Sequence, residues 1–142
     1  MPEDPYSDPV TGVLYNKLGL RSAAALEAAE REITHAALIL LDESPVSPSY
    51  NLSHLQEIHK RIFGDVFRWA GQIRTVNALH PFREGNGRAQ RAFFGQLARD
   101  AGFTLAWQHL DPVRNVEASA AIMRGDPEPM REMLGPLVRD DT

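Results

Sequence analysis

The chain has 142 residues, 43% of them apolar, with a formal net charge of -4 and a sequence pI near 5.7. This length suits a single domain, residues 1–142, with a real core, and the charge gives no global basic field to hold a nucleic acid or an anionic bilayer. The absence of cysteine excludes disulfides and thiolate metal sites and fits a reducing, cytoplasmic setting.

In chain order, a segment rich in Pro and Asp up to about Thr11 shows no periodicity and is expected to be an extended arm (1–11). Its acidic MPEDPYSDP start is unlike a signal peptide. Ser22 can cap a first helix over roughly 23 to 41, with Leu26, Ala29, Ile33, Ala36, Ala37 and Leu40 at helical spacing. Its apolar run, Ala36 to Leu41, is the longest in the chain and far too short to span a bilayer. SPVSPS then breaks the pattern. Ser53 with Gln56 reads as a capping box opening a second helix, with Leu55, Ile58, Ile62, Phe63 and Val66 inward and an end near Gly71. A third helix is drawn from about Gly87 to Ala101, stopped by Gly102, and FTLAW beyond it can be extended. Asp111-Pro112 and Asp126-Pro127 each place a capping residue before Pro at a first helical position, which adds two shorter helices. The expectation is an all-α fold of about five helices.

The stretch LHPFREGNGRAQR, Leu79 to Arg91, concentrates the chemistry. A Gly85-Asn86-Gly87 turn feeding a helix exposes backbone N–H groups without intrahelical partners, and such an end attracts anions. Arg88, Arg91, Gly95 and Arg99 fall on one stripe of that helix, with Phe93, Phe94, Leu97 and Ala101 opposite. Arginines in a first turn oppose the helix dipole by about 0.3–1 kcal/mol each, so fold stability alone disfavours Arg88 and Arg91 there, and a bound polyanion reverses the sign. Glu84 offers a hard oxygen for Mg²⁺ beside phosphates, and His80 a base titrating near neutrality. Each feature alone has a bland explanation: a Gly-Asn-Gly is usually just a turn, a His before Pro a loop residue, an arginine stripe a solvated face. Their coincidence in one span favours a phosphate site.

His80 through Arg91 resembles, without a mismatch, the Fic-family signature HPFx[D/E]GNGRxxR. The segments DPYSDPVTGVLYNKLGL, LEAAERE, LSHLQEIHKRIFGDVFRWAGQIRTV and GDPEPMREML look like Fic segments in family order, so the resemblance covers nearly the whole chain. It implies a compact helical domain that transfers AMP from Mg-ATP to a hydroxyl side chain (Ser, Thr or Tyr) of a target protein. On the matching positions it implies His80 as general base, Glu84 as the Mg²⁺ ligand, and Asn86 with the amides of Gly85 to Gly87 as the cradle for the α- and β-phosphates. Arg88 and Arg91 would fix the β- and γ-phosphates, and Phe82 would anchor the loop to the core. His59 lies in a family packing motif and, like His54, reads as structural.

The resemblance breaks between Val76 and His80, where only Asn77, Ala78 and Leu79 stand in place of the β-hairpin flap and two helices of full-length relatives. Loss of those helices would expose the Phe93, Phe94 and Leu97 face and favour dimerisation. The inhibitory motif [S/T]xxxE[G/N] of many relatives is absent. Ser53 with Glu57 has the spacing but is followed by Ile58, which implies a toxin-like protein restrained by a separate antitoxin. Two alternatives stay open: a decayed remnant that binds nucleotide and transfers nothing, and a small nucleic-acid binder using the arginine stripe, which the acidic net charge disfavours.

Overall fold

The computed structural model describes residues 4–73 and 82–140. The fold is all-α, with five α-helices and one short two-stranded ribbon among the described residues. Two compact units divide it, Met1–Phe93 and Phe94–Thr142, the division falling within the third helix.

In the first unit, α1 (Ala23–Glu43) opens on Ser22, whose hydroxyl accepts the Ala25 amide at 3.4 Å. Leu26 is buried and Ile33 packs on the core as expected, but the inward face also takes Thr34, Leu38 and Leu41, whereas Leu40 is 64% exposed. The cause is a polar pair, Glu30 and Thr34, that occupies the inward face where an apolar count sees a gap.

The second helix, α2 (Leu52–Phe63), is capped by Asn51 and not by Ser53. The Asn51 Oδ1 accepts the His54 amide at 3.1 Å, which leaves Ser53 inside the helix. It also ends at Phe63, short of Gly71. Phe63, Val66, Phe67 and Ala70 keep helical spacing and are all buried, which disguises the end. The backbone has in fact turned, with the Val66 carbonyl accepting the Lys17 amide at 2.8 Å and Phe67 stacking on Trp69 at 4.4 Å between ring centroids.

Nor is residues 4–11 an extended arm. The Asp8 carboxylate accepts the Val10 and Thr11 amides at 2.7 and 3.2 Å, Ser7 bridges to Leu14, and the Tyr15 amide donates to the Tyr6 carbonyl at 2.9 Å. Short aspartate side chains substitute for backbone acceptors and fold the segment into turns. The core of this unit gathers Val13, Leu26, Leu41, Ile58, Ile62, Phe63, Val66, Phe67, Phe82 and Ala89.

The third helix, α3 (Asn86–Asp100), matches its expected span within a residue, and Gly102 follows it at φ +86°, the left-handed conformation that glycine tolerates. In the second unit β1 (Phe103–Leu105) pairs antiparallel with β2 (Val138–Asp140), Thr104 facing Arg139. Next, α4 (Pro112–Met123) follows Asp111, whose carboxylate accepts the Val113 and Arg114 amides at 2.9 and 3.3 Å. Finally α5 (Glu128–Leu134) starts one residue past Pro127, with Asp126 accepting the Glu128 amide at 3.1 Å. It packs on α4, and Ala118, Ala121, Met133 and Leu137 are buried.

Candidate active site

The turn that opens α3 is shaped by two close approaches. Gly85 has φ +76° and lies so tightly on the Phe63 ring that a Cβ there would overlap Cζ and Cε2. Only glycine meets both demands. Asn86 then fastens the turn to its own entry: Oδ1 accepts the Phe82 amide at 2.9 Å, and Nδ2 donates to the Phe82 carbonyl at 2.8 Å. The first helical bond of α3 runs from the Ala89 amide to the Gly85 carbonyl at 3.1 Å, so the amides of Asn86, Gly87 and Arg88 precede it and have no acceptor within the helix.

The two arginines occupy different environments. Arg88 Nη1 pairs with the Glu30 carboxylate and donates to the Thr34 hydroxyl at 3.1 Å, while its Cζ lies 4.6 Å from the Phe63 ring centroid. Glu30 is the acid on the inward face of α1, its side chain only 14% exposed. Arg91 has no carboxylate within ion-pair distance among the described residues. Its guanidinium folds back over the turn, with Nη1 3.0 Å from where a Cβ on Gly87 would sit. Partial desolvation, and then the charge of Arg88, hold the Arg91 pKa below the ordinary arginine value. A guanidinium without a carboxylate partner among the described residues, beside amides that have no acceptor within the helix, suits an anion.

Behind the turn stands His59 of α2, fully buried and stacked on Phe82 at 3.8 Å between centroids, 17° from parallel. The Gly71 amide donates to its Nδ1 at 2.9 Å, which places the proton of the neutral ring on Nε2, and Nε2–H donates to the Glu84 carbonyl at 2.7 Å. Burial is the main cause that pushes the His59 pKa down to about 4, with Arg88 acting the same way and the Glu84 carbonyl against it. Gln56 adds a second hold on Gly71, donating to its carbonyl at 3.0 Å.

The Glu84 carboxylate is 47% exposed, and Arg83 Nη1 lies 3.8 Å from its Oε2. Arg83 is taken up more closely by Asp4, which accepts from its Nε and Nη2 at 3.1 and 2.7 Å and ties residues near the N-terminus to the signature loop. Those bonds are the main reason that Asp4 is held at a pKa of about 2.

The structure thus brings Glu84, Gly85, Asn86, Gly87, Arg88 and Arg91 into one short arc, with Phe82 buried beneath as anchor. His80 and the shortened connection from Val76 to His80 lie outside the described residues. Sequence reasoning missed Glu30, Thr34 and Asp4, all long-range partners of the signature arginines. Phe94 and Leu97 are 47% and 39% exposed, as expected of their face, but Phe93 packs edge-on to Tyr50 at 5.7 Å.

No protein-family profile matches the chain. It is 31% identical to the protein adenylyltransferase VbhT of Bartonella schoenbuchensis over 92% of its own length, spanning 38% of that relative. With the probable protein adenylyltransferase Fic of Escherichia coli it shares 27% identity over 96% of this chain and 93% of the relative. These alignments run over 182 and 188 positions against a chain of 142 residues, so both relatives carry additional residues within the matched span. The fold superposes on the crystal structure of BepC from Bartonella tribocorum with a TM-score of 0.82 at 19% identity, covering 96% of this chain and 97% of the other. An uninterrupted HPFREGNGRAQR signature and relatives aligned over nearly its whole length make the chain similar in sequence to the Fic proteins, and its fold is that of BepC.

Proposed function

We propose that the protein is an adenylyltransferase that moves AMP from Mg-ATP to a Ser, Thr or Tyr hydroxyl of a target protein. The observation that carries this reading is Arg91, a guanidinium without a carboxylate partner among the described residues, folded over amides at the start of α3 that have no acceptor within the helix. That arrangement suits a nucleotide's phosphates, and the relatives are named adenylyltransferases, while BepC was solved with the ATP analogue AMPPNP.

In this reading the target oxygen attacks the α-phosphorus, the bond from that phosphorus to the bridging oxygen of the β-phosphate breaks, and pyrophosphate leaves. The hydroxyl proton passes to His80. The free amides and Arg91 hold the phosphate oxygens in a fixed polar frame that needs no reorganisation as charge shifts. Arg88, already engaged with Glu30 and Thr34, turns its remaining N–H donors to the same phosphates. Asn86, with its amide group committed to Phe82, acts mainly by fixing the turn. Glu84 fits a single-carboxylate Mg²⁺ site, being exposed and only loosely engaged by Arg83. Bound there, Mg²⁺ would neutralise charge between the phosphates.

The protein works in the cytoplasm on a protein target, with a separate antitoxin supplying an inhibitory glutamate to Arg91. The exposed Phe94 and Leu97 favour a homodimer. With the flap reduced to three residues, Mg-ATP binding should outlast efficient transfer, because a poorly oriented nucleophile alone costs a hundredfold or more. Calorimetry with Mg-ATP on the parent and on Arg91→Ala tests the phosphate site. Micromolar binding that weakens at least tenfold in the variant supports it, and equal affinities overturn it.

A further inference from the structure

We propose that His59 is a positioning residue for this reaction: one imidazole ties Glu84, on the metal side of the phosphate turn, to Gly71, so that the chain enters and leaves the signature loop at fixed points. This rests on the adenylyltransferase reading for its effect on catalysis, while the clamp itself stands on geometry.

A ring that merely filled space would leave its nitrogens idle or bonded within its own helix. Both His59 nitrogens instead bond main-chain groups that lie 13 positions apart, the Gly71 amide at 2.9 Å and the Glu84 carbonyl at 2.7 Å. The neutral ring has one donor and one acceptor, and both are used. Neither bond is accessible to competing water, because His59 is fully buried between Phe82 and Phe63, at 3.8 and 4.6 Å between centroids. Gly71 is built for the contact. At φ +82° it lies against α2, and a Cβ there would meet the Gln56 carbonyl oxygen and Lys60 Cβ at 3.0 Å. Gln56 Nε2 holds its carbonyl in turn. Fixing the Glu84 carbonyl fixes the Cα from which its carboxylate projects, and the next residue, Gly85, is wedged on Phe63, a neighbour of His59 on the same helix. Two successive residues of the signature are therefore set by α2 alone. The consequence is functional: the connection between Gly71 and Glu84 can change in length without moving the phosphate turn. Relatives of this 142-residue chain align over 182 and 188 positions, so they carry additional residues within the matched span.

Two substitutions separate the hydrogen bonds from the packing. His59→Phe keeps the aromatic stack and removes both bonds, whereas His59→Gln keeps one donor and one acceptor and gives up the ring. Gly71 amide exchange is followed by NMR, and the Mg²⁺ concentration for half-maximal AMP transfer is measured at saturating ATP. The clamp predicts that His59→Phe speeds Gly71 exchange at least tenfold and raises the Mg²⁺ requirement at least fivefold, with the KM for ATP within threefold, and that His59→Gln recovers most of both losses. A His59→Phe protein with parental exchange and Mg²⁺ dependence overturns the proposal, as does a His59→Gln protein no better than His59→Phe. If His59→Phe does not fold, His59→Gln decides: values within threefold of the parent support the clamp, and loss of both overturns it. If the parent itself transfers nothing, the adenylyltransferase reading fails, and Gly71 exchange still judges the clamp.

Discussion

Replacing Gly85 by alanine tests the most constrained contact in the turn that opens α3. The left-handed backbone at φ +76° costs a non-glycine residue about 1–2 kcal/mol. The added methyl overlaps the ring of Phe63, which is fully buried and cannot swing into solvent, and overpacking of this kind costs about 1–3 kcal/mol. Together the loss is about 2–5 kcal/mol, which for a chain of this size lowers Tm by roughly 4–20 °C. Differential scanning calorimetry of Gly85→Ala, Phe63→Leu and the double variant apportions it. Shortening the ring costs stability by itself, yet the double variant should be more stable than the sum of the two changes by about 1 kcal/mol or more, since the methyl then has room. A Gly85→Ala protein that melts within 2 °C of the parent, or strict additivity in the double variant, would refute the steric account of this turn.

His80→Ala is expected to abolish AMP transfer while leaving Mg-ATP affinity within a few-fold, measured by labelling and calorimetry on one preparation, because the base acts on the target hydroxyl. Arg88 and Arg91 should separate: Arg88→Ala strands Glu30 and lowers stability by about 1–3 kcal/mol in thermal melts, whereas Arg91→Ala leaves the melt nearly unchanged and weakens nucleotide binding. Glu84→Ala should raise the Mg²⁺ needed for transfer at least fivefold without changing the melt, followed by Mg²⁺ titration. Asp4, held at a pKa of about 2 against an ordinary 3.8, contributes its bonds to Arg83 fully above pH 3.8 and loses them as the pH falls toward 2. The Tm difference between the parent and Asp4→Asn should therefore be largest near neutrality and disappear only as the pH falls below about 2.

Much of the helical layout was legible because it is written in local signals. Ser22, Asp111 and Gly102 each act through neighbours within a few residues, and each marks its boundary as expected. The errors arose where distant partners decide. Thr34 and Glu30 are polar and so were left off the buried stripe of α1, yet they face inward to engage Arg88, 54 and 58 positions away in the chain. The end of α2 was missed because burial of Val66, Phe67 and Ala70 continues the helical period after the backbone has turned. In the site itself, the signature revealed which residues cluster, and their division of labour needed coordinates. That Asn86 spends its side chain on Phe82, that Arg88 is paired and Arg91 has no carboxylate partner among the described residues, and that His59 bonds both Gly71 and Glu84 follow from contacts no spacing encodes.

The central claim, AMP transfer, is tested most directly by incubating the purified chain with Mg²⁺ and a cell lysate in two parallel reactions, one with ATP labelled at the α-phosphorus and one with ATP labelled at the γ-phosphorus. The account predicts label on protein from the α-labelled nucleotide alone, lost in His80→Ala. Label from the γ-phosphorus, or none from either nucleotide in a preparation that binds Mg-ATP, would contradict it.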